Sequence, residues 1–124
     1  MAISKEIINR KIKIDVIVAN KLKPSINKIY TGIVDTGSAE SLISDKIVND
    51  LGLIHSEEFV TIVDASGKEI KSYRFPCYLM FNGHNKTFDV NIGIIHRNDV
   101  DLIIGMDILE LVEISIKNDI FTIS

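Results

Sequence analysis

A carboxylate set at the exit of a buried strand constrains this chain more than any other feature. Residues 29–34, Ile-Tyr-Thr-Gly-Ile-Val, are mostly apolar and partly β-branched, and Asp35-Thr36-Gly37-Ser38 follows at once. The run reads as a strand, so Asp35 is delivered to the end of a rigid element. A carboxylate at such a place is costly unless donors satisfy it. Gly37 allows close backbone approach, and its amide can point at the carboxylate. Ser38 can donate through hydroxyl and N–H, and Thr36 can turn its hydroxyl back to buried backbone. The plain alternative is a turn aspartate capping backbone amides in a β protein. A second apolar stretch stands downstream, Asp101-Leu102-Ile103-Ile104-Gly105-Met106-Asp107-Ile108-Leu109.

The rest of the chain says what surrounds these two stretches. Residues 11–18 alternate polar and apolar, as a half-buried strand does. Residues 20–27, with Pro24 and Ser25, read as a hairpin loop. Residues 41–43 are a short apolar continuation. Ser44 or Asp45 can N-cap a brief helix over residues 46–51, with Gly52 as its stop. Residues 59–63 read as a strand, Asp64-Ala65-Ser66-Gly67 as a turn, and residues 68–81 as one further strand. Pro76 implies that this strand is an edge or carries a bulge. Asn82-Gly83-His84-Asn85 is a hairpin turn, and residues 86–95 alternate with Phe88, Val90, Ile92 and Ile94 on one face. Residues 107–111 are short and helical. Residues 112–117 and 120–123 form a last hairpin around Asn118-Asp119. The sum is an all-β domain of many short strands with one or two helical turns, closest to a small closed barrel.

At 124 residues the chain has room for one domain with one core, taken as residues 1–124. With 46% hydrophobic and 25% charged residues it has the composition of a soluble globular protein. A net charge of −3 makes no case for nucleic acid. Residues 1–34 carry seven Lys/Arg against two acidic residues, and the remainder seven against fifteen. This asymmetry reads as solvated strand faces or as complementarity across a contact. The lone Cys77 excludes an internal disulfide and reads as a buried, inert thiol. No apolar run reaches the ~18 residues of a membrane span, and residues 1–20 lack a signal-peptide core. The expected location is cytoplasmic, with no membrane partner. His55, His84 and His96 show no metal-ligand spacing. Nothing places a histidine beside Ser38 and Asp35, no phosphate loop is present, and Asp99, Asp101 and Asp107 are not spaced as a calcium loop. No metal and no cofactor are expected.

The Ile33-Val34-Asp35-Thr36-Gly37-Ser38 run resembles the active-site signature of aspartic proteases. Ile103-Ile104-Gly105 and the short helix after it resemble the motif that completes each lobe of that family. Order, separation and flanking strands agree from residue 11 to the C-terminus. The chain is most similar to the single-lobe, retroviral-like (retropepsin-like) branch, of the kind also found in bacterial sequences. The resemblance implies that Asp35 is catalytic. It implies that Thr36 crosses a dimer axis, that Gly37 offers its amide to Asp35 and its carbonyl to substrate, and that Ser38 bonds the outer carboxylate oxygen. Gly105 would let residues 103–104 pack under the loop, and Asp101 and Ile103 would line a subsite.

The turn at Asp64, Ala65, Ser66 and Gly67 falls where the family carries its flap, although an ordinary surface turn fits it as well. The family's reaction needs two carboxyls, and this chain has one Asp-Thr-Gly. The expected state is therefore a two-fold homodimer acting on an extended peptide or protein substrate. The alternative is a catalytically weak or inactive domain that serves dimerisation or peptide binding.

The chain departs from the viral pattern at one pair. The viral acid two residues after the glycine and the arginine that pairs with it are replaced by Ala39 and Met106. Glu40, beside Ala39, is expected to replace the missing acid at a substrate end. The Ile and Val content near both motifs suggests apolar subsites.

Overall fold

The fold follows from pairing short alternating strands until no long edge remains. The computed structural model describes residues 2–63 and 66–124. In chain order the elements are β1 (Ile3–Glu6), β2 (Ile12–Asn20), β3 (Asn27–Val34), β4 (Leu42–Ser44), α1 (Asp45–Leu51), β5 (Phe59–Val63), β6 (Glu69–Tyr73), β7 (Phe75–Phe81), β8 (Thr87–Ile95), β9 (Leu102–Ile104), α2 (Met106–Leu109), β10 (Ile114–Lys117) and β11 (Ile120–Ile123). Six strands close a barrel in the order β2-β3-β9-β4-β8-β7. The expected all-β architecture is thus observed. Ile12, Ile14, Val16 and Val18 of β2 point inward, as its alternation requires, and meet Tyr30, Leu79, Phe81, Leu102 and Ile104 in one core. Among the described residues no helix is long and apolar enough to cross a membrane.

One crossing positions everything that follows. β9 lies between β3 and β4, parallel to β3 (Val34 opposite Ile104) and antiparallel to β4 (Leu42 opposite Ile103). Residues 35–41, which join β3 to β4, must therefore pass over the C-terminal end of β9.

The terminal sheet holds a strand absent from the sequence reading. β1 pairs with β11, which pairs with β10, so the order is β1-β11-β10. Residues 114–123 make the intramolecular hairpin, with Asn118 and Asp119 at φ 52° and 60°. Phe121 and Ile123 are fully buried and fasten this sheet to the barrel.

Three other expectations shift. Residues 68–81 are not one strand, because the chain breaks at Arg74 into β6 and β7. Pro76 sits inside β7 opposite Asn91, one residue past the end of the β2 pairing, where its missing N–H costs no bond to β2. Ser44 is the N-cap residue of α1, yet its side chain caps nothing: Oγ is buried without a hydrogen-bond partner among the described residues. Cys77 is fully buried, and burial pushes its thiol up to about 12.

Candidate active site

The β3–β4 loop is stitched to β9 and α2 by main-chain hydrogen bonds. The Asp35 amide donates to the Ile104 carbonyl at 2.9 Å. The Met106 and Asp107 amides donate to the carbonyls of Ser38 and Ala39 at 2.8 and 3.2 Å, and the Ser38 amide donates to the Asp35 carbonyl at 3.2 Å. Asp35, Thr36 and Gly37 are exposed at the barrel surface. The Gly37 amide donates to Asp35 Oδ1 at 3.0 Å. A hydrogen bond to the ionised form holds the carboxylate in one pose. Asp35 Oδ2 and the Thr36 hydroxyl have no hydrogen bond among the described residues, which leaves both available to a partner.

Ser38 does not do what the resemblance implies. Its hydroxyl donates to the Glu40 carbonyl at 2.7 Å instead of to Asp35, which shapes the loop rather than the carboxylate.

Gly105 lies directly beneath the loop. A Cβ there would sit 2.6 Å from the Glu40 carbonyl oxygen, 2.7 Å from its carbon and 2.8 Å from the Ser38 carbonyl oxygen. These are backbone atoms, so no side chain can swing aside.

Two ties hold the loop where the viral acid–arginine pair is missing. Glu40 pairs with Arg74, at 2.6 Å, so it serves the junction of β6 and β7 rather than a substrate end. Asp107, the second residue of α2, accepts from the Ser41 hydroxyl at 2.6 Å and from the Ser41 amide at 3.1 Å. The same Ser41 hydroxyl accepts from the buried Gly105 amide at 2.9 Å. Sequence reasoning passed over Ser41 and Asp107. The only signal was an acid two residues after Gly105, which has no meaning until the crossing of the loop over β9 is known.

This relay has a measurable consequence. Ser41→Ala leaves the Gly105 amide buried without an acceptor, a loss of about 1–3 kcal/mol. Chemical denaturation should show that loss, and Asp107→Asn, which keeps the shape, should lose less.

The other singled-out residues divide in two. Asp101 and Ile103 are half-buried, and Ile103 stands opposite Ile33, two residues before Asp35. Ser66 and Gly67, the latter at φ 83°, lie on the β5–β6 hairpin, a two-stranded sheet separate from the barrel. Asp64 and Ala65 lie outside the described residues. The histidines are dispersed. His96 faces Asp45 at 2.9 Å, His55 stacks on Tyr73, and His84 is buried at a turn, accepting from the Lys86 amide. No group of three or more His, Cys, Asp or Glu able to hold a metal occurs among the described residues.

Comparison with known proteins agrees with this geometry. A search of curated proteins finds no significant match. Among solved structures, a retropepsin-like aspartic protease from Rickettsia conorii is similar, with a TM-score of 0.70 at 19% identity over 99% of this chain and 89% of that one. At that identity the likeness speaks for the fold. The retroviral protease-like domain of Ddi1 from Leishmania major matches more distantly, with a TM-score of 0.48 at 17% identity, covering 86% of this chain and 81% of that one. The family model described as retroviral aspartyl protease matches residues 3–122. A barrel of this topology, an Asp-Thr-Gly loop laid over a glycine, and a family match across almost the whole chain place this protein in the retroviral aspartyl protease family.

Proposed function

We propose that this protein is an aspartic endopeptidase that works as a homodimer, hydrolysing peptide bonds with a water held between two Asp35 carboxylates, one from each subunit. The observation that carries this reading is Asp35 itself. It is the chain's single Asp-Thr-Gly aspartate, fixed by the Gly37 amide through Oδ1, on an exposed loop with Oδ2 unbonded among the described residues. Two such loops meeting at a two-fold axis bring identical carboxylates together. Carboxylates that close cannot both be ionised, so the pair holds one proton between them.

The chemistry follows from that shared proton. The ionised carboxylate takes a proton from water as the oxygen attacks the peptide carbonyl. The protonated one gives its proton to the carbonyl oxygen, forming a neutral diol. The first carboxyl, now protonated, gives its proton to the nitrogen as the second, now ionised, takes one from a diol hydroxyl; the C–N bond breaks, acid and amine leave, and the pair is restored with one proton. Thr36 would link the two loops across the axis, and Ser38 and Gly105 would keep each loop in place.

The β5–β6 hairpin, whose strands are joined in sequence through Asp64, Ala65, Ser66 and Gly67, is the proposed cover over the peptide. Phe59, Val63 and Tyr73 are exposed apolar residues on it, which suits a surface that closes on something. The peptide would lie extended, with alternate side chains reaching Asp101 and Ile103.

Cleavage of a diverse peptide mixture, read by mass spectrometry from roughly pH 4 to 7, tests the reading, since the reaction needs one carboxyl protonated and the other ionised. Cuts are expected, with a rate per subunit that falls on dilution as dimer is lost. No cuts at high protein concentration would instead favour a binding or dimerisation module.

A further inference from the structure

The cleft beside Asp35 is rimmed by charge. A cavity of about 640 Å³ is lined by Lys11, Lys13, Thr31, Ile33, residues 97–100 and Asp101. Strand register ties it to the catalytic loop. Thr31, Ile33 and Asp35 share the outward face of β3, since Tyr30, Gly32 and Val34 are buried. Lys13 pairs with Ile33 and Ile12 with Val34, where the ladder ends, so Lys11 and Asp35 are the next residues beyond the same end of the β2–β3 pair. Lys11 is also held by two main-chain hydrogen bonds to Ile8, at 2.9 and 3.1 Å.

The charges in this cleft do not cancel. Asp99 is taken up by Arg97, through bonds of 3.0 and 2.6 Å. Asp101 has Lys46 at 4.0 Å. Lys11 and Lys13 are exposed and have no ion pair within 4.0 Å among the described residues; neither Glu6 nor Asp15, their nearest acidic neighbours in sequence, makes one. Arg97 chiefly, and Lys11 weakly, hold the Asp99 carboxyl below its ordinary range, so Lys13 and, less fully, Lys11 offer exposed ammonium groups to whatever lies along β3.

We infer that Lys11 and Lys13 select substrates with an acidic side chain close to the scissile bond. This deepens the proteolytic reading and rests on it for the word substrate. An exposed ion pair contributes modestly, so each lysine should favour Glu over Gln by about two- to fivefold.

Two fluorescein-labelled peptide pools serve as probes, identical except that one carries Glu where the other carries Gln. Binding is read with Asp35→Asn protein and cleavage with wild type. The Glu pool is expected to bind more tightly and, where cut, to be cut faster. Lys11→Glu with Lys13→Glu should reverse that order, whereas Lys28→Glu, a charge reversal outside the cleft, should not. Equal binding of the two pools, or a preference untouched by the double reversal, overturns the inference. Charge-dependent binding without any cleavage would refute the protease and keep the lysines' role. Cleavage blind to charge would do the opposite.

Discussion

Asp35→Asn is expected to remove turnover while leaving the fold and the dimer. The substitution keeps the shape, and the amide oxygen can still accept from the Gly37 amide that holds Oδ1 at 3.0 Å. Asparagine cannot carry the shared proton, so both acid and base roles fail in both subunits. A loss of about 10²–10⁴-fold or more is expected for general acid–base work of this kind. The burial of Phe121, Ile123 and the barrel core does not involve this side chain, so denaturation midpoints should move little. Peptide cleavage and sedimentation on the same sample check both halves.

Gly105→Ala is expected to have the largest effect on stability of any single methyl added near the site. Its Cβ would meet the Glu40 carbonyl oxygen at 2.6 Å and the Ser38 carbonyl oxygen at 2.8 Å. Relief requires the whole loop to lift from β9. That movement strains the Met106-to-Ser38 and Asp107-to-Ala39 main-chain bonds and the Gly105-to-Ser41 bond together. Overpacking of this kind costs about 1–3 kcal/mol. Because the loop carries Asp35, activity should fall further than stability alone explains. Urea denaturation gives the first quantity. The residual rate, measured where the variant is still folded, gives the second.

Much of this architecture is legible in the sequence because it is local. The alternation of residues 11–18 gives β2, the apolar run before Asp35 gives β3, and the turn sequences mark the hairpins. Gly52, at φ 61°, ends α1 where a left-handed residue is needed. What sequence missed is what distant pairing creates. Ile3–Glu6 is too short to read as a strand alone and becomes one by lying along β11, with Ile3 opposite Ile123. The break at Arg74 has only Pro76, two residues on, as a local signal. At the break, Arg74 is held by distant residues: its guanidinium pairs with Glu40, thirty-four residues away in sequence, and its carbonyl accepts from the Ser56 amide at 2.8 Å.

The site divides in the same way. The Gly37 contact to Asp35 spans two residues and could be foreseen from turn geometry. The Ser41–Asp107 tie spans sixty-six and could not. Ser38 departs from the resemblance for a physical reason. Its hydroxyl has a carbonyl at 2.7 Å in the tight turn, nearer to hand than the carboxylate. Apolar subsites were inferred from the abundance of Ile and Val near both motifs. Val34, Leu102 and Ile104 turn inward, whereas Ile33 and Ile103 are half-buried, and Lys11, Lys13 and Asp101 join Ile33 in lining the cleft.

The central claim is that two copies of Asp35 make one catalytic centre. Wild-type and Asp35→Asn chains co-refolded at fixed total concentration and varied ratio test it most directly. If each active centre needs an Asp35 from both subunits, activity falls as the square of the wild-type fraction, to a quarter in an equal mixture. Activity that falls in simple proportion, to a half, would mean that each chain works alone and would contradict the account.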